Sequence, residues 1–169
     1  MYCIALKWGM FGSESIRQIH KLLKGMSQIN KTTVRTYFSL YGDYFSVHDV
    51  TENLNIIPTI TYNKGDVIPN RSTVRYRKNT SWEIDTGNQE SFDVNEQLQQ
   101  IILQLKDKTT NINELKSRYN MECIFVIVII IEQGYTPGLV LEKEVIQFAS
   151  AIGAEFSIDL YANPYENDL

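Results

Sequence analysis

Residues 124–131 read IFVIVIII, an unbroken apolar run bounded by Cys123 and Glu132. No other stretch narrows the possible folds as much. A helix needs about 20 apolar residues to cross a bilayer, and this run stops well short of that at Glu132 and Gln133, so it is not a membrane span. Every residue in it except Phe125 is β-branched, and Gly134 follows closely. Branching at Cβ suits a pleated surface, which selects a buried strand over a buried helix. We expect it to be the central strand of a sheet. Both of its faces are apolar: Ile124, Val126, Val128 and Ile130 on one, Phe125, Ile127, Ile129 and Ile131 on the other. Helices cover one face of a two-layer sheet, so the second needs a cover of its own. The sequence offers three: the N-terminal segment with Trp8 and Phe11, a partner subunit, or curling of the sheet with Tyr37, Tyr41 and Trp82.

The rest of the chain supplies the layers. TTVRTYFSLYG alternates Val34, Thr36, Phe38 and Leu40 against Arg35, Tyr37, Ser39 and Tyr41, the period of a half-buried strand. SVHDVTENLNI reads as a short helix with Ser46 as N-cap, and PTITYNKGD as a second strand broken by Gly65. A hairpin is expected next, with Asn79, Thr80 and Ser81 as its turn. That register sets Lys78 opposite Trp82, Arg77 opposite Glu83, Tyr76 opposite Ile84 and Arg75 opposite Asp85.

Asp93 and Glu96 resemble a capping box ahead of an amphipathic helix with Val94, Leu98, Ile101, Ile102 and Leu105 on one side. A second helix should restart after KDKTT, capped by Thr110 or Asn111. EKEVIQFASAIG reads as a third with Gly153 past its end. In AEFSIDLYA, Phe156, Ile158 and Leu160 should point in, and Glu155, Ser157, Asp159 and Tyr161 out. The fold class is α+β, a two-layer sandwich of a mainly antiparallel twisted sheet with helices on one face. Strand, loop, helix, strand recurs at about 34–63 and 122–161, as a duplicated half-domain or by coincidence.

At 169 residues the chain suits one domain that buries roughly 70% of its unfolded surface. We divide it into an N-terminal extension at 1–31, an α+β domain at 32–163 and an acidic tail at 164–169. The extension carries five basic residues against one acidic, a short possible helix at Ser13–Leu23, and Met26 as an alternative natural start. Cys3 and Cys123 read as two unrelated thiols rather than a bridge. The N-terminus lacks the pattern of a secretory signal, so a cytoplasmic location is the expectation.

The motifs YFSLYGDYFS, YNKGD, SWEIDTG, VNEQLQQIILQL and IGAEFSIDLY, in this order, resemble the bacterial domain-of-unknown-function family 4279 over about Thr32–Asn163. The resemblance implies a compact α+β domain from bacteria and their mobile elements, with no established reaction and no catalytic set to carry onto this chain.

The chain carries few residues at catalytic or metal-ligand spacing. His20 and His48 are isolated, and there is no phosphate loop, nucleophile elbow or Cys with a nearby base. We expect no metal, no cofactor and no catalytic residue, although Asp43, Asp66, Asp85, Glu132 and Asp159 near strand ends leave a carboxylate site open. Charge is more informative than motif. Residues 64–78 carry five positive charges and one negative, whereas 132–169 carry seven acidic residues and one Lys. The expected function is non-enzymatic binding of a protein, or of a second copy, in the manner of immunity or antitoxin modules, through an acidic surface around Glu155, Asp159, Glu166 and Asp168, with Tyr41 as a further candidate binding residue. The alternative is a small-ligand or nucleic-acid binder using Lys64, Arg71, Arg75, Arg77 and Trp82. Membrane is not an expected partner.

Overall fold

The computed structural model describes residues 31–69 and 73–164. Residues 1–30 with the helix expected at Ser13–Leu23, residues 70–72 with Arg71, and residues 165–169 with Glu166 and Asp168 lie outside the described residues. In chain order the elements are β1 (Thr33–Gly42), α1 (Val47–Leu54), β2 (Ile60–Tyr62), β3 (Thr80–Asp85), β4 (Gln89–Glu90) and α2 (Val94–Leu105). They continue with a 3₁₀ turn at Lys106–Lys108, α3 (Thr109–Tyr119), β5 (Glu122–Ile131), α4 (Lys143–Ile152) and β6 (Glu155–Ala162).

The sheet runs β2-β3-β1-β5-β6, with β4 also beside β1. The apolar run is therefore interior, while β1 takes the middle place expected for it. β1 is antiparallel to β3 and to β5, and β5 is parallel to β6. The fold is a two-layer α+β domain. β5, α4 and β6 form a crossover unit between adjacent parallel strands, but β1 and β2 are separated by β3, which is antiparallel to both. The two recurring units thus differ in strand placement.

Alternation puts Val34, Phe38 and Leu40 of β1 beside Cys123, Phe125, Ile127 and Ile129 of β5 and Trp82 and Ile84 of β3, all buried on the helix side. Phe125 is central to this core. Its ring lies 5.0 Å from Phe38, 6.4 Å from Phe148 and 5.3 Å from Phe156, distances at which tilted or offset rings attract. Val94, Leu98, Ile101, Ile102 and Leu105 of α2 close over the core as the stripe predicts.

The caps explain where the helices begin. Asp49 donates its N–H to Ser46 Oγ at 3.1 Å, the N-cap read from sequence. At α2 the box is relayed: Asp93 N–H donates to Ser91 Oγ at 3.0 Å, and that hydroxyl lies 2.6 Å from Glu96 Oε2. α3 starts at Thr109, without a side-chain cap, because a 3₁₀ turn carries the chain through KDK instead of breaking it. Gly153 ends α4 at φ 61°, a left-handed conformation that glycine adopts without a Cβ penalty.

The Thr36 side chain is fully buried on the helix side and its hydroxyl has no hydrogen-bond partner. An unpaired buried hydroxyl costs about 1–3 kcal/mol. Replacing it by a methyl at the same branch point removes that penalty and keeps strand propensity. Thr36→Val is expected to raise the unfolding free energy by about 1 kcal/mol, read as a higher denaturation midpoint at constant slope. A fall in midpoint would mean that the hydroxyl is paired.

Candidate functional site

The second face of the sheet carries none of the four described helices; Ser39, Ser81, Glu83 and Val126 are buried at its centre, and Glu122, Glu155, Asp159 and Tyr161 are exposed toward its β6 side. Alternation places Arg35, Tyr37, Ser39 and Tyr41 of β1 on this face, opposite Asp85, Glu83 and Ser81 of β3 and beside Glu122, Ile124, Val126 and Val128 of β5. β6 adds Glu155, Ser157, Asp159 and Tyr161. β2 adds Ile60 and Tyr62.

A small polar network sits in the middle of this face. Ser39 Oγ and Ser81 Oγ are 2.7 Å apart, and Ser81 Oγ donates to Glu83 Oε1 at 2.8 Å. Glu83 is 8% exposed, so the carboxylate depends on these neighbours. Burial pushes the Tyr62 phenol above its ordinary value, with the Ser81 hydroxyl opposing and the Glu83 charge adding to the rise. Tyr37 is raised chiefly by burial and then by Glu83. Both rings also meet cations: the Arg77 guanidinium lies 3.8 Å from the Tyr62 centroid and Arg35 lies 5.3 Å from that of Tyr37.

Arg35 ties this face together. Its Nε donates to Asp85 Oδ1 at 3.0 Å and to Oδ2 at 2.9 Å, and its Nη2 also reaches Oδ2. Gly87 N–H donates to Asp85 Oδ1 at 2.8 Å. This fork replaces the expected Arg75–Asp85 pair.

The expected hairpin is corrected with it. Residues 80–85 pair with β1 and β2, not with 74–78. Residues 65–68 and 75–77 instead form a narrow ribbon, held by Gly65 N–H to Arg77 O at 2.9 Å, Arg77 N–H to Asp66 O at 2.8 Å and Ile68 N–H to Arg75 O at 2.8 Å. Gly65 sits at φ 93° where the chain turns into the ribbon. The local partner is closer in sequence, but β3 buries Trp82 and Ile84 only by joining the sheet.

The structure sorts the candidate residues into three places. Tyr41, Glu155 and Asp159 share the open face, and Glu155 and Glu122 are near enough to Tyr41 to add to the rise in its pKa that burial begins. Arg75 and Arg77 line a shallow groove of about 580 Å³ on the ribbon, with Lys78, Tyr62 and Tyr76. Lys64 pairs with Asp43 at 2.8 Å and lies 4.9 Å from the Tyr44 ring. Trp82 belongs to neither surface. Its register with Leu40 turns it to the helix side, where it is 0% exposed and donates Nε1–H to Thr51 Oγ1 at 3.0 Å. It can neither stack on a ligand nor help the sheet curl over its second face.

The strand-end carboxylates are dispersed. Asp43 engages Lys64, Asp66 accepts from Asn63 N–H at 2.7 Å, Asp85 holds Arg35, and Glu132 accepts from Asn163 Nδ2 at 2.5 Å. Among the described residues no three His, Cys, Asp or Glu side chains come together to hold a metal. Cys123 is buried, its thiol 3.5 Å from the Ile152 carbonyl and its pKa pushed up chiefly by that burial. Among the described residues no helix is long and apolar enough to cross a membrane.

Sequence reasoning missed the Ser39–Ser81–Glu83 network and the Arg35–Asp85 fork. Each joins residues on strands far apart in the chain, and the available signal was only that all five lie on the polar side of their own strands.

No curated protein and no solved structure matches this sequence. Residues 31–163, most of the chain and all the elements above, match the profile of a domain of unknown function, DUF4279, and the chain belongs to that family.

Proposed function

We propose that this is a bacterial, cytoplasmic, non-enzymatic module that binds a basic protein through the open face of its sheet, in the manner of an immunity or antitoxin protein. The observation that carries the reading is the make-up of that face. Exposed Glu122, Glu155 and Asp159 share it with Tyr37, Tyr41, Tyr62 and Tyr161, while Glu83 is held in the buried network and Arg35 is already committed to Asp85. Tyrosines supply large, stiff contact area at low entropic cost, and carboxylates around them steer a cationic partner.

The test is capture from host lysate on the full chain, beside the Glu155→Lys/Asp159→Lys variant. One basic protein recovered in near-equal amount, and lost with the variant, is the expected result. Capture that is indifferent to charge reversal would sink the proposal.

A second reading rests on the ribbon groove. Among the described residues Arg75, Arg77 and Lys78 line it with two tyrosines and no carboxylate, which suits a phosphate-bearing ligand or single-stranded nucleic acid. That reading predicts oligonucleotide binding that weakens steeply with salt and disappears with Arg75→Ala/Arg77→Ala. Binding insensitive to salt counts against it.

A further inference from the structure

β6 ends the sheet, and among the described residues it pairs with β5 alone. Ile158 and Leu160 were expected to point inward, and they do lie on the helix side. Yet they remain 39% and 61% exposed, because the helix layer stops short of this edge. Edge strands are usually blunted by lysine, proline, a bulge or brevity. β6 is eight residues long, contains no lysine or proline, and keeps continuous register with β5 from Glu155 to Ala162.

The edge of β6 away from β5, unpaired among the described residues, has a definite hydrogen-bonding phase. Asn163 N–H donates inward to Ile131 O at 2.9 Å. Amides alternate sides along a strand, so those of Phe156, Ile158 and Leu160 face outward. A second copy running antiparallel must match these groups with its own, which allows only registers two residues apart.

One of those registers is self-complementary. With Ile158 opposite Ile158 of the second copy, Phe156 meets Leu160 on the helix side. On the open side Glu155 meets Tyr161 and Ser157 meets Asp159. Each carboxylate then faces a hydroxyl, and each apolar residue faces another. Sliding the copy one way sets Asp159 opposite Asp159, and sliding it the other way sets Glu155 opposite Asp159, each a like-charge pair that cross-strand pairing disfavours. We propose that two copies of this chain join their sheets through antiparallel β6 edges, with Ile158 on the two-fold axis. The contact is isologous and closes on itself, so it yields a dimer and not a fibre. This inference rests on the edge strand; Glu155, Asp159 and Tyr161 serve both readings, but its test reads mass and cross-link register and so fails separately from capture of a basic protein.

Cysteine cross-linking of the full chain reads the register directly. Opposed residues in a hydrogen-bonded antiparallel pair have Cα atoms about 5.5 Å apart, within disulfide range. Two Leu160 residues would sit about 14 Å apart, four residues along the strand and one strand across. Ile158→Cys should therefore give a covalent dimer on oxidation and Leu160→Cys should not, with the parent chain treated alike as control for its own thiols. In sedimentation equilibrium the parent chain should exceed its 19.5 kDa monomer mass, and Ile158→Asp should return it to monomer with its circular dichroism unchanged. A parent chain that is monomeric at every concentration overturns the proposal. So does a cross-link at Leu160→Cys in place of Ile158→Cys.

Discussion

Trp82→Ala is expected to lower the unfolding free energy by about 3–5 kcal/mol, the range for truncating a large buried aromatic. The Trp82 side chain is wholly buried between β3 and α1, with Leu40 and Thr61 as its cross-strand neighbours. Truncation leaves a cavity and removes the Nε1–H donor to Thr51, whose own hydroxyl still donates to the Val47 carbonyl at 2.8 Å. The loss should therefore come mainly from packing. Trp82→Phe, which keeps a ring and loses the donor, should cost much less than Trp82→Ala. Denaturant unfolding followed by far-ultraviolet circular dichroism checks both. A Trp82→Ala change below about 1 kcal/mol would be the value of a surface site, and would return Trp82 to the list of ligand-stacking residues.

Arg35→Ala should produce the second largest effect, a loss of about 2–3 kcal/mol. Breaking a buried ion pair by removing one partner costs about 3–5 kcal/mol, and the partial exposure of Arg35 reduces that figure. The Asp85 side chain is 5% exposed against 34% for Arg35. Without the guanidinium, Asp85 retains hydrogen bonds only from neutral donors such as Gly87 N–H. Asp85→Asn in the Arg35→Ala background should recover part of the loss, since the stranded charge is gone. Arg75→Ala should stay within about 0.5 kcal/mol of the parent, as exposed substitutions do. If Arg75→Ala were the more damaging of the two, the local hairpin would be right and the sheet register wrong. The Arg35 change also bears on function, because this guanidinium lies against Tyr37 at the margin of the open face.

The physical content of these two residues shows what was legible in the chain. Alternation identifies which residues of a strand share a face, and it does so correctly for Val34, Thr36, Phe38 and Leu40. Helical spacing does the same for the α2 stripe, and Ser46 and Gly153 mark helix ends because capping is a local property. Strand neighbours are a non-local property. The stretch from Thr73 to Asp85 alternates well enough to close a hairpin on itself, and nothing within it shows that β1, about 40 residues upstream, offers more apolar area to bury. That one choice moves Trp82 into the core and gives Asp85 to Arg35. It also leaves Arg75 and Arg77 on a separate ribbon.

The two apolar sides of β5 imply a second face that the helices leave uncovered, and alternation points Glu155 and Asp159 away from the helix side, but nothing in either segment shows that these carboxylates share that face with Tyr37 and Tyr41. Its central network was not, because a pair such as Ser39 and Ser81 acquires meaning only when two strands lie side by side. Leu160 illustrates the remaining gap. Its position in the alternation is that of a core residue, yet the helix layer ends before reaching it, and layer width is written in no single segment.

The most direct test of the binding face is oxidative footprinting of tyrosine side chains in the free chain and in its complex with the captured protein. Tyr41 and Tyr161 lie on the open face, Tyr76 lies on the ribbon groove, and Tyr135 lies in the turn after β5. Shielding of Tyr41 and Tyr161 with Tyr76 and Tyr135 unchanged is the predicted result. Shielding of Tyr76 while Tyr41 and Tyr161 stay reactive would contradict it and place recognition on the basic ribbon.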